Sequence, residues 1–149
     1  AAEMVPTTSL LLLLSLALLA PGLSVDQCKL TGNWTNDLGS NMTIGNLSSK
    51  GEFTGTYHTA VTSTTQQIKL SPLTGIQHNN TQPIFGFTVN WTFTDSSAVF
   101  TGQCFVDKDG KEVLKTMWLL RSDAKSIKDD WNATSVGTNV FTRLPNKME

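Results

Sequence analysis

The 149-residue chain carries 11 basic and 12 acidic residues, is 39% hydrophobic and has only two cysteines. That length fits one domain, and so balanced a charge argues against nucleic acid or an anionic membrane as partner. The two distant cysteines and the isolated His58 and His78 show no metal-ligand spacing, so neither a metal nor a cofactor is expected.

The first feature in chain order is the apolar block LLLLLSLALL, residues 10–19, followed by APGLS with Pro21, Gly22 and Ser24. It is too short to span a bilayer and reads as a secretory signal peptide over residues 1–24, with cleavage near 24/25 and Met4 as the expected start. Residues 25–149 then form the mature domain, with 144–149 expected as a flexible tail. A secreted chain with two cysteines points to one disulfide between Cys28 and Cys104, which would contribute on the order of 4 kcal/mol by closing a long loop. Sequons at Asn33, Asn41, Asn46, Asn79, Asn90 and Asn132 make a glycoprotein the expected product.

Beyond the signal segment the dominant pattern has period two, interrupted every eight to twelve residues by turn chemistry. It predicts strands near 29–36, 40–46, 52–61, 66–71, 83–93, 98–106, 112–121 and 134–143. The turns fall on NDLGS, NLSSKG, TSTT, TDSS and DKDGK, and a helical turn fits SDAKSIKDDW. Short antiparallel connections favour eight strands in sequence order, an all-β, up-and-down sheet that removes its edges by closing on itself.

Alternation sorts the two faces. Glu52, Thr54, Thr56 and His58 suit solvent, so the opposite parity is interior: Trp34 and Asn36, Phe53, Tyr57 and Thr59, alternate residues from Phe85 to Phe93, Ala98 and Phe100, Trp118 and Leu120, Asn139 and Phe141. Neutral polar groups (Asn36, Tyr57, Thr59 and Asn139, with Ser40 nearby) thus sit among aromatics. Buried polar groups need partners or cost roughly 1–3 kcal/mol each, and an uncharged polar floor inside aromatic walls suits a neutral, polar, flat ligand. Val113, Met117 and Leu119, then Val136 and Val140, form a second group that faces outward, which suggests a subunit interface.

The segments LTGNWTNDLGSNMTIG, GEFTGTY, FGFTVNW, VFTGQCF, GKEVLKTMWLLR and DDW resemble the avidin family of biotin-binding proteins, over the span from Cys28 to Leu144. The resemblance implies an eight-stranded antiparallel β-barrel, a homotetramer, and one biotin held non-covalently in each barrel mouth. At matching positions, Asn36, Ser40 and Tyr57 would donate to the ureido oxygen, and Thr59 and Asn139 would accept from the ureido N–H groups. Trp91, Phe93, Phe100, Trp118 and Leu120 would wall the ring system, and Trp131 would be donated to the neighbouring subunit's site. Thr62, Ser63 and Thr64, with Thr94 and Ser96, would meet the valeryl carboxylate. The expected product is a secreted, extracellular protein that sequesters biotin as a defence.

Three departures from the family pattern stand out. Ala98 replaces a threonine whose hydroxyl would touch the biotin sulfur, a contact worth about 0.5–1.5 kcal/mol. Thr138 occupies an interface position where a larger apolar residue is common, and the segment before Pro83 is short. The sequon at Asn132 directly follows Trp131, so poor glycan occupancy is expected there. The rival reading is a lipocalin-type carrier, since Gly32-Asn33-Trp34 satisfies a G-x-W start. An enzyme is not expected, because neither histidine has a nucleophile and carboxylate to complete a triad.

Overall fold

The computed structural model describes residues 27–145, so the expected signal peptide and residues 146–149 of the tail lie outside the described residues. The strands are β1 (Gly32–Asn36), β2 (Asn41–Ile44), β3 (Glu52–His58), β4 (Ser71–Gln77), β5 (Ile84–Asn90), β6 (Ser96–Val106), β7 (Glu112–Ser122) and β8 (Thr134–Arg143). A 3-10 helix, η1 (Ile127–Asn132), joins the last two. Each strand pairs antiparallel with the next, and β8 returns to β1 through Trp34↔Arg143 and Asn36↔Phe141, closing the barrel. Closure leaves no edge strand to recruit another chain.

The strand faces follow the expected parity. Trp34, Tyr57, Val89, Phe100, Leu114 and Phe141 are buried inside, while Met117, Leu119 and Val136 lie exposed outside. Register places Val99, Leu119 and Val136 in one outward row across β6, β7 and β8. Turn chemistry explains the β6–β7 connection: the Asp107 carboxylate accepts from the Asp109 and Lys111 amides, and Gly110 takes φ +75°. That left-handed conformation favours glycine.

Several expected boundaries need correction: the first strand begins at Gly32 rather than at 29, and the third ends at His58 rather than at 61. The fourth strand is Ser71–Gln77, not 66–71; the alternation of Ile68 and Leu70 belongs to a loop in which Leu70 is exposed. The fifth strand ends at Asn90 rather than at residue 93, because the chain turns away to Ser71 and Leu70. There the Thr92 amide donates to Ser71 Oγ at 3.1 Å, and the Thr92 hydroxyl donates to the Leu70 carbonyl at 3.1 Å. The connection is therefore Trp91–Asp95, and Ser96 already belongs to β6.

One end of the barrel is sealed. Trp34 is fully buried, its indole N–H donates to the Leu30 carbonyl at 2.8 Å, and the Arg143 guanidinium lies 3.9 Å from its ring centroid. Arg143 also donates to the Thr31 and Lys29 carbonyls and to Glu112. Nearby, Cys28 and Cys104 form the expected disulfide, with Cα atoms 5.8 Å apart. The one grouping of metal-ligating residue types among the described residues, Cys28, Cys104 and Glu112, has both sulfurs committed to that bond.

Candidate functional site

The opposite end opens into a cavity of about 140 Å³. The ends of β1, β3 and β7, the β1–β2 turn, the β3–β4 and β5–β6 loops, the first half of β6 and the middle of β8 supply its lining. No charged side chain lines it. Fifteen of the sixteen ligand-contact residues expected from the sequence meet there: Asn36, Ser40, Tyr57, Thr59, Thr62, Ser63, Thr64, Trp91, Phe93, Thr94, Ser96, Phe100, Trp118, Leu120 and Asn139.

Trp131 is the exception. It sits on η1, 83% exposed, and contributes nothing to the cavity of its own chain. Arg121 holds η1 against the barrel by donating to Asp130 at 2.5 Å and to Thr134 at 3.2 Å. The helix therefore presents Trp131 outward rather than folding it back.

The polar floor is oriented by bonds behind it. Asn36 Oδ1 accepts from the Leu38 and Ser40 amides at 3.0 and 2.9 Å, which turns its Nδ2 towards Tyr57 Oη at 3.2 Å. Ser40 Oγ accepts from the Ala60 amide at 2.9 Å. Asn36 and Tyr57 each keep one hydrogen not used by these bonds, and the single hydroxyl hydrogen of Ser40 is directed at Tyr57 but free to rotate. Thr59 spends its hydrogen on the Val61 carbonyl at 2.8 Å and so offers only lone pairs.

Across the barrel, Asn139 Nδ2 donates to the Asp37 carboxylate at 2.8 Å. Its Oδ1 accepts from the Trp118 indole N–H at 2.9 Å and retains a second lone pair. That bond from Asn139 holds the Asp37 carboxyl below its ordinary range, so Asp37 stays ionised and fixes which way the amide points. Burial pushes the Tyr57 phenol up to about 12, even though hydrogen bonds from Ser40 and Asn36 pull it down. The phenol is accordingly neutral and remains a donor.

The walls are aromatic. Tyr57 meets Trp91 edge-on at 5.4 Å between centroids, and Phe100 stacks on Phe87 at 4.6 Å. Such contacts hold the cavity's shape without a ligand. Leu38, Val61 and Ser122 also line the cavity but were not expected from the sequence, since they lie in turns or at a strand end where alternation gives no signal. Gly137 was missed as well. It pairs with Trp118, and a Cβ there would collide with the indole ring, so glycine is what lets Trp118 lie flat on β8.

The expected outward residues divide similarly. Met117, Leu119, Val136 and Thr138 are exposed, and Val113 and Val140 are half-buried. Val99 and Ile84, 46% and 49% exposed, extend the apolar wall beyond the residues expected. All six sequon asparagines are exposed.

Comparison with known proteins agrees with this geometry. The family model described as "Avidin family" matches residues 24–144. Chicken (Gallus gallus) avidin is 68% identical over 143 residues, covering 94% of each chain. Chicken avidin-related protein 4/5 is 65% identical over 145 residues, covering 95% of this chain and 97% of its own. Among solved structures, xenavidin superposes with a TM-score of 0.78 at 54% identity, covering 79% of this chain and 99% of that one. A biotin binding protein from chicken gives 0.77 at 58% identity, covering 79% and 98%.

Proposed function

This chain belongs to the avidin family, and from that premise we propose that it is a secreted protein holding one biotin non-covalently in each barrel. The observation that carries the reading is the hydrogen-bond count of the cavity floor. A cyclic urea has one carbonyl oxygen that accepts and two N–H groups that donate. Asn36 and Tyr57 each keep a free hydrogen and the Ser40 hydroxyl can turn its hydrogen from Tyr57 to a ligand, while Thr59 and Asn139 each keep a lone pair. Three donors against two acceptors complement that urea. A hydrocarbon ligand would leave all five unsatisfied, at roughly 1–3 kcal/mol each.

The remaining roles follow from position. Trp91, Phe93, Phe100, Trp118 and Leu120 wall the bicyclic ring, and the hydroxyls of Thr62, Ser63, Thr64, Thr94 and Ser96 receive the carboxylate. Because backbone amides and the Asp37 carboxylate already fix the floor, little ordering entropy is lost on binding. Nothing in this scheme requires a covalent step, so the activity is binding rather than catalysis.

Four copies assemble through the apolar outer wall of β6, β7 and β8, and Trp131 closes the mouth of a neighbouring barrel. The exposure of Trp131 on a pinned helix supports that role. The disulfide and the exposed sequons support an extracellular, glycosylated protein whose purpose is to sequester biotin.

A calorimetric biotin titration, with native mass measured before and after, tests the reading. One biotin per chain in a tetramer is expected, and absence of heat at micromolar protein overturns it. Trp131→Ala should weaken biotin and loosen the assembly together, whereas Trp91→Ala should weaken biotin alone. Unchanged assembly in Trp131→Ala would remove that residue from the interface.

A further inference from the structure

The cavity mouth does not end at bulk solvent. A second, more polar groove of about 670 Å³ begins where the first stops, and Thr64, Trp91, Phe93 and Thr94 line both. Beyond those shared residues the groove is lined by Gln66, Gln67, Lys69, Thr92 and Asp95. Lys69 and Asp95 are both exposed. The two ion pairs among the described residues are Arg121–Asp130 and Arg143–Glu112, and neither uses them.

The charge distribution is therefore stepped. The inner cavity holds no charged side chain, its rim offers hydroxyls that both donate and accept, and the outer groove offers one cation and one anion. A free carboxylate meets only the first two of these zones. We propose that the outer groove is a subsite for an amino-acid zwitterion joined to the ligand's tail by an amide, as in Nε-biotinyl-lysine; this rests on the biotin reading of the inner cavity. The amide's carbonyl and N–H suit the rim hydroxyls, the α-carboxylate faces Lys69 and the α-ammonium faces Asp95.

Dissociation rates of biotin, Nε-biotinyl-lysine and its N-acetylated, C-amidated form, measured on the whole protein and on Lys69→Ala and Asp95→Ala, test the subsite. Each substitution should speed release of Nε-biotinyl-lysine about two- to fivefold, the range of an exposed ion pair, and leave biotin and the capped conjugate unchanged. Equal acceleration of all three ligands, or of none, overturns the subsite while leaving biotin binding intact. Failure of every ligand to bind the unsubstituted protein overturns the inner-cavity reading instead.

Discussion

The two ends of the barrel are built from the same strands and do opposite things with hydrogen bonds. β1 sends Trp34 to the sealed end and Asn36, two residues on, to the open one; β8 sends Arg143 to the first and Asn139 to the second. At the sealed end the Trp34 indole and the Arg143 guanidinium find their partners within the chain. At the open end Asn36, Ser40, Thr59 and Asn139 are held by backbone or carboxylate, Tyr57 by the Asn36 amide, and all five still keep bonding capacity. On the proposed function, stability is concentrated where the hydrogen bonds are complete, and recognition where they are fixed but unfinished.

The strongest way to break this contrast is at the sealed end. Trp34→Ala removes the largest fully buried side chain and leaves Arg143 over a void. It should cost about 3–5 kcal/mol of unfolding free energy, read from a denaturant midpoint, while the fraction still folded binds biotin with unchanged stoichiometry. A near-normal midpoint would show that stability is not concentrated there.

Tyr57→Phe tests the open end in the opposite sense. It deletes one hydroxyl from the cavity floor and leaves the aromatic contacts of the ring in place. Affinity for biotin should fall by about 1–3 kcal/mol, with a much smaller change in the midpoint, because water can reach the Asn36 amide once the phenol is gone. A large loss of stability with affinity retained would reverse the assignment of the two ends.

The same phenol sets a pH window. Its pKa is raised from 10.0 to about 12 in the folded chain, so its contribution to stability is complete below pH 10 and declines as pH rises towards 12. Biotin affinity should stay level through pH 10 and fall only on approach to 12, since the donor survives until then. A titration that loses affinity with a midpoint near 10 would mean that Tyr57 is solvated rather than buried.

Most of this was legible because alternation survives wherever both faces differ in polarity. Asn36, Tyr57 and Asn139 announced themselves as polar residues on an otherwise apolar parity. β4 was misplaced for a physical reason. Its inward positions are Ser71, Leu73 and Gly75, and Pro72 interrupts it, so it has a polar residue and a glycine where apolar bulk is expected. Trp91 and Phe93 deceived in the other direction, continuing the β5 alternation into a loop after the ladder had ended. Gly137 left no sequence signal at all, because its importance lies in the Trp118 ring it accommodates across the sheet.

The smallest expected effect sharpens the contrast within the open end itself. Ala98 is 2% exposed, pairs with Val89 and Leu120, and lines the cavity between the hydroxyl of Ser96 and the ring of Phe100. It stands at the junction of rim and wall, and it offers the ligand a methyl group where a hydroxyl could reach. Ala98→Thr should strengthen biotin by about 0.5–1.5 kcal/mol, seen as slower dissociation. If the gain comes from the hydroxyl meeting the thioether sulfur, desthiobiotin, which lacks that sulfur, should gain nothing. An equal gain for both ligands would instead mean that threonine merely fills space, and the junction would then belong to the apolar wall rather than to the polar rim.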